Sequence, residues 1–428
     1  METSLERRSV RSLLCALAWT VLAAAASAGE VEVLHWWTSG GESRSVQELK
    51  RLLAMQGHTW RDFAVVGGGG DSAMAVLRSR VLAGNPPAAA QIKGPAIQEW
   101  GRLDVLADLS DVAAAQKWDA QLPSVVASVM KVDGRYVAVP VNVHRVNWLW
   151  INREALRVTG ARVPNNWDEF FAVAEKMRQA GIVPVAHGGQ SWQEFTTFET
   201  VVLGVGGADF YRRAFVRLDA EALRSDTMSR ALQTFRRIKD YTDRRAAGRD
   251  WNVATAMVIK GEAGMQFMGD WAKGEFLAAN KVPGKDFVCV AAPGTSRAFI
   301  FNVDSFAMFR LKDPAAIQAQ KALARTIMQP EFQETFNLAK GSIPVGTGVR
   351  MDRFDLCAQE SSAYFTATAM VNTLVPSIAH LMAQPAPIKQ AIREVVASYW
   401  NNDRMTADEA MRRLIVASHA KPSKGLAP

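Results

Sequence analysis

The chain has 428 residues, 49% of them hydrophobic and 21% charged, with a formal net charge of +8. That length exceeds one ordinary hydrophobic core and implies two domains. The balance of apolar and charged residues excludes an intrinsically disordered chain and a polytopic membrane protein. Between Tyr211 and Asp250 the basic residues come singly or in pairs among Asp219, Glu221, Asp226, Asp240 and Asp243. A solvated helix face has that pattern, so no nucleic-acid partner is expected.

Arg7, Arg8 and Arg11 precede the apolar run Leu13 to Leu22, and Ala26-Ser27-Ala28 follows. A positive segment, a short apolar stretch and a small-residue site together read as a secretory signal peptide over residues 1–28, cut after Ala28. Its loss removes three arginines and two glutamates and leaves a charge of +7. The mature chain keeps Cys289 and Cys357. In an oxidising compartment these can pair or persist as two buried thiols, and two cysteines alone do not decide between the two.

Val31 to Trp37 alternates as a short strand, which Gly40-Gly41 separates from a helical pattern over Ser43 to Leu53. Trp36 and Trp37 therefore stand at the carboxyl end of a strand, where open α/β sheets bind ligands. Neighbouring strand residues face opposite ways, so both indoles are buried only if the strand has ended by Trp36. Phe63 to Val66 reads as a second strand, and Gly67 to Gly70 then opens a helix carrying Met74, Leu77 and Val81. The glycines are no phosphate loop, because Asp71-Ser72 stands where Gly-Lys-Ser/Thr is required; Asp71 suits helix capping instead. Beyond Asn85-Pro86-Pro87, Ala88 to Ile92 is a small-residue strand ending at Lys93-Gly94. Strands alternating with helices predict a parallel sheet with right-handed crossovers.

Asp133 to Val141 reads as a turn and strand, Trp148 to Glu154 as a strand entering a helix, and Asn165 or Asn166 as the cap of the next helix. Lys260 to Gly269 is an apolar strand with Trp271 just past its end, and Phe287 to Ala291 is another. The segment after Pro140, and Pro293-Gly294, are candidate crossings between domains. In the strand Phe299 to Phe306, period-two spacing puts Asn302 and Asp304 on one face.

In this order, Val33 to Trp37, Asn85-Pro86-Pro87, Asp133 to Pro140, Pro164 to Glu169, Gly261 to Trp271 and Ala292-Pro293-Gly294 resemble the spaced landmarks of one family. It is the sugar-binding receptors of ABC importers, the maltose-binding-protein group, and the resemblance spans the mature chain. His35 to Glu42 and Asn302 to Asp304 are most similar to its bacterial glucose/mannose-binding members. The resemblance implies an α/β fold of two hinge-linked lobes with the ligand in the cleft. The N-terminal lobe comprises residues 29–141 and 296–345, and the C-terminal lobe residues 142–295 and 346–428. It implies a periplasmic monomer, without cofactor or metal, that binds a monosaccharide, glucose first, and delivers it to the permease subunits of an ABC importer at the inner membrane. Mannose, galactose or a disaccharide are the alternative ligands, and a chemoreceptor is a further partner that the same closed form can serve.

The ligand-binding set that the resemblance implies is Trp36, Trp37, Glu42, Lys93, Trp271, Asn302, Asp304, Lys340 and His380. Such residue types suit a pyranose, whose C–H faces stack on aromatic plates while its hydroxyls need charged and planar hydrogen-bonding groups. The rival class is an exported carbohydrate-active enzyme, which needs paired carboxylates across a cleft; Glu42 and Asp304 are the pair available. Gly188-Gly189-Gln190-Ser191 lacks nucleophile-elbow spacing. His35, His58, His144, His187, His380 and His419 are scattered, with no metal-ligand spacing.

Overall fold

The computed structural model describes residues 28–67, 70–243 and 245–421. The segment read as a signal peptide lies outside these residues except for Ala28, and Gly68 and Gly69 lie outside them as well. Among the described residues no helix is long and apolar enough to cross a membrane.

Strands β1 (Glu30–His35), β2 (Thr59–Ala64) and β3 (Ala89–Gln91) are parallel, with β1 in the middle. A small hairpin, β4 (Lys131–Val132) and β5 (Arg135–Tyr136), precedes β6 (Ala138–Arg145) and β7 (Trp148–Asn152). Next come β8 (Val183–Val185), β9 (Ala263–Phe267), β10 (Phe287–Ala291), β11 (Phe299–Met308) and β12 (Leu374–Pro376). Besides the hairpin they form two sheets: β12-β11-β3-β1-β2 with β6 on β11, and β10-β7-β9-β8. The first sheet is mixed, not wholly parallel as expected, because β11 runs antiparallel to both β3 and β6. That strand arrives from the other sheet, not from a helical crossover beside β3.

Each sheet organises its own hydrophobic core. Val33, Leu34, Ala90 and Val303 belong to the first, and Trp150, Phe170, Phe198 and Met265 to the second. Strands β6, β7, β9 and β11 are buried along their whole length, as strands covered on both faces are.

The chain does not cross to the second sheet just after Pro140. Strand β6 runs on to Arg145, and the crossing falls at Val146-Asn147. Pro140 is tolerated in the strand because it pairs where the register shifts between Asp304 and Ser305, a place where a missing N–H interrupts no regular ladder. The return crossing lies between β10 and β11, over residues 292–298. Asn147 binds the two crossings together. Its Nδ2 donates to Thr295 Oγ1 at 2.9 Å and to the Ala298 carbonyl at 3.2 Å, while its Oδ1 accepts from the Ile300 N–H at 2.9 Å.

Two local expectations resolve here. Asn166 is the cap of helix Trp167–Gln179, its Oδ1 accepting from the Glu169 N–H at 2.9 Å. Asp71 is not a cap. Gly70, at φ +82, precedes the helix Asp71–Leu82, and the Asp71 carboxylate turns to Lys389 and Arg393, since two charge-assisted contacts outweigh one capping bond. Cys289 on β10 and Cys357 at the start of helix Leu356–Met370 form a disulfide with Cα atoms 6.0 Å apart.

Candidate functional site

Strand β1 ends at His35, so Trp36 and Trp37 stand past its last paired residue and both indoles are buried. Their surroundings differ. Trp37 is wedged in the first core, 5.4 Å from the Phe306 ring and 5.3 Å from that of Phe336. Trp36 lies against Gly70, where an added Cβ would meet the indole at 2.8 Å, and the Lys93 Nζ sits 5.3 Å from its ring centre. From the second sheet comes Trp271, a few residues past β9, edge-on to His144 at 5.3 Å and to His380 at 5.0 Å.

The polar groups converge on the β6/β11 ladder. Asn302 pairs with His144 across it, and Asp304 with Asn142. Spacing of two on each strand puts all four side chains on one face, and all four are buried. Lys93, in the loop after β3, places Nζ 2.7 Å from Asp304 Oδ1, and His144 Nε2 is 3.0 Å from Asp304 Oδ2. Burial works against the Asp304 charge, yet Lys93 and His144 hold its carboxyl well below the usual range. The Lys93 contact is an ion pair without hydrogen-bond alignment, so Oδ1 remains open to a donor. Asn302 is more exceptional. Among the described residues neither its Oδ1 nor its Nδ2 has a partner, although the residue is only 1% exposed.

Glu42 and Lys340 form the wall beside Trp37. Glu42 Oε2 accepts from the Thr38 and Ser39 N–H groups at 3.1 and 3.2 Å, and its Oε1 takes the Lys340 Nζ at 2.9 Å. Across the cavity, His380 follows a loop held by Glu199, whose carboxylate accepts from Ser377 Oγ at 2.7 Å and the Ile378 N–H at 3.0 Å. Thr196 Oγ1 donates to the Trp192 carbonyl at 2.8 Å and lies 3.1 Å from His380 Nε2. The hydroxyl proton being used, Nε2 carries the proton of this ring and Nδ1 is left as an acceptor. Burial, reinforced by Lys93, keeps His380 neutral by pushing its pKa well below the ordinary value.

All nine residues implied by the family resemblance line one cavity of about 290 Å³. The structure adds His144, Trp192, Asp250, Trp251 and Asn252 to its wall. The alternation Asn142, His144 within an otherwise apolar strand was the available signal for His144; two buried polar residues facing one way are uncommon without a purpose. Nothing in the sequence ties the other four to the cleft, since they come from the starts of two helices of the second lobe, Ser191–Tyr211 and Trp251–Lys260 with its cap Asp250. Glu42 and Asp304 do not form a hydrolytic pair. Glu42 is fastened to Lys340 and two amides, and Asp304 is held ionised, whereas glycoside hydrolysis requires one carboxyl that keeps its proton.

A cavity floored by one lobe, roofed by the other and lined with indoles and paired charges defines a solute-receptor architecture, and the chain belongs to the bacterial extracellular solute-binding protein family, whose model matches residues 57–323. It is 47% identical over 390 residues to a probable sugar-binding periplasmic protein of Brucella melitensis, covering 91% of this chain and 92% of that one. A protein of the same description from Rhizobium meliloti is 46% identical over 397 residues, covering 93% and 95%. Among solved structures, a chitin oligosaccharide binding protein superposes with a TM-score of 0.77 at 18% identity, over 92% of this chain and 99% of that one. These relatives are solute-binding proteins and not enzymes.

Proposed function

We propose that this chain is a periplasmic receptor that binds a monosaccharide, glucose first, between its lobes and presents it to the permease subunits of an ABC importer. The observation that carries the reading is Asn302, a buried carboxamide with a free donor and a free acceptor, which matches vicinal hydroxyls of a pyranose. Trp36 and Trp271 supply plates from opposite lobes, Asp304, Lys93, Lys340 and His380 the remaining polar contacts, and Glu42 and Trp37 hold that wall in place. A cavity of about 290 Å³ is at the lower end of small-molecule sites, which favours one ring over two. The curated relatives named as sugar-binding periplasmic proteins support the class.

In this reading each sheet is the heart of one lobe, but the expected bounds shift: the first crossing falls at Val146-Asn147, and Leu374–Pro376, expected in the C-terminal lobe, pairs with β11 in the first sheet because the chain returns there after residue 346. Closure is then a population shift driven by a ligand that touches both lobes. The test is calorimetric titration of the mature protein with glucose, galactose, mannose, xylose and maltose. One-to-one binding of glucose with weak or no binding of maltose supports the reading. Binding of maltose alone replaces the monosaccharide by a disaccharide, and silence for every sugar overturns the sugar reading.

A further inference from the structure

His144 occupies the middle of β6 with its ring buried. Its Nδ1 contacts Asp270 Oδ1, and its Nε2 lies 3.0 Å from Asp304 Oδ2. A neutral imidazole has one N–H and one lone pair, so it would direct the lone pair at one of these carboxylates; only the imidazolium donates to both. Asp270 is not free to turn away. Its Oδ2 accepts from the Arg145 N–H at 2.9 Å, and its own N–H donates to the Arg145 carbonyl at 3.0 Å. Asn142 Nδ2 also lies 3.1 Å from His144 Nε2, and it donates to Ser342 Oγ at 2.9 Å.

The charges around the ring agree. Asp270 faces it from the loop after β9 and Asp304 from β11, Lys93 stands behind Asp304, the Lys340–Glu42 pair closes one side, and neutral His380 lies beyond Trp271. The Arg145 guanidinium also acts on Asp270, and His144 is the group that stands directly between the Asp270 and Asp304 carboxylates. Burial opposes that charge, but Asp270 and Asp304 together raise the pKa of His144 above its ordinary value. One ring thus fastens the loop that presents Trp271 to the strand that presents Asn302 and Asp304.

We propose that His144 is a standing imidazolium, a positioning residue that sets Asp304 and the Trp271 loop for the ligand at the same time, so that ligand affinity falls at alkaline pH when its proton leaves. The affinity part rests on the sugar-receptor reading, and the protonation part does not. The sign follows from the raised pKa: the ordering is present below the ordinary histidine value of about 6.5 and is lost as pH rises through the folded one.

The experiment uses the mature protein labelled with [15N]histidine, the His144 signals being those missing in His144→Gln. Both ring nitrogens are protonated at neutral pH, above the ordinary histidine value of about 6.5, with or without glucose; a neutral ring there overturns the proposal. Glucose titrations between about pH 6 and 10 show affinity falling as the His144 signals change. His144→Gln loses roughly tenfold or more, since it leaves two buried carboxylates underpaired, and it lacks the alkaline fall; wild-type affinity and profile in that variant overturn the positioning role. If His144→Gln does not fold, Asp270→Asn takes its place: removing one carboxylate moves both the spectral midpoint and the affinity fall to lower pH, and an unmoved midpoint is contrary to the proposal. Absence of glucose binding at every pH contradicts the sugar reading, while the ring spectrum still supports or overturns the imidazolium by itself.

Discussion

Trp36 and Trp271 are indoles that line the cavity from the two sides, each at the margin of its own core. Replacing either by alanine is expected to lower glucose affinity by about 1–3 kcal/mol, the scale of an aromatic plate lost from a small site. Trp118 is the control. It is fully buried and edge-on to Tyr136 at 5.1 Å in the first lobe, so Trp118→Ala lowers stability by about 3–5 kcal/mol and leaves affinity nearly unchanged in calorimetry. Equal affinity losses at all three contradict the site. Glu199 offers a pH signature away from the ligand. Burial pushes its carboxyl from 4.5 up to about 7, so the folded state holds that proton more tightly than the unfolded one. Its stabilisation is present below the unfolded value and is lost as pH rises through about 7, roughly 3 kcal/mol in all. Urea unfolding from about pH 5 to 8 should show that slope in the wild type and a flatter one in Glu199→Gln. At this scale the sequence was informative: residue types that suit a pyranose, matched to a family order, named nine positions that share one cavity. It was silent where a partner is remote, as for Asp270 beside His144, because no local pattern records a contact across 126 residues of chain.

The element that shapes the first wall is the turn into helix Asp71–Leu82. Gly70 combines φ +82 with an indole against its Cα, so it answers both to backbone strain and to space. Gly70→Ala is expected to cost about 1–2 kcal/mol of stability and to displace Trp36, lowering affinity as well; unchanged thermal unfolding and unchanged titration contradict that. The strands β1, β3, β7, β9 and β10 were legible from alternation or apolar runs bounded by glycine and proline. The length of β6 was not, since Pro140 reads as a breaker until the irregularity at Asp304/Ser305 is seen to absorb it. The direction of β11 was hidden too, because pairing partners are set by the route of the whole chain and not by the strand's own residues.

In the whole molecule, contacts outside the cavity also join the lobes. The Asp71 carboxylate, in the first lobe, meets Lys389 at 3.2 Å and Arg393 on helix Ala386–Asn401 of the second. Burial lowers Lys389 to about 8, which makes its pairing with Asp71 matter. On the opposite wall, Glu275 Oε1 accepts from the Gly41 N–H at 2.8 Å. Asp71→Asn is therefore expected to weaken glucose binding several-fold without touching ligand, by favouring the open form, and to enlarge the radius of gyration of the sugar-free protein in solution scattering. Both quantities unchanged would show that these pairs do not bias closure.

The most direct measurement is thermal unfolding of Asn302→Leu beside the wild type, each with and without saturating glucose. In the wild type the unpartnered carboxamide is a burden of about 1–3 kcal/mol until ligand occupies it, and a ligand that binds only the folded state raises Tm by mass action. Leucine is expected to raise the Tm of the sugar-free protein and to abolish the glucose shift. A variant that is less stable without sugar yet is still stabilised by glucose as the wild type is would contradict it.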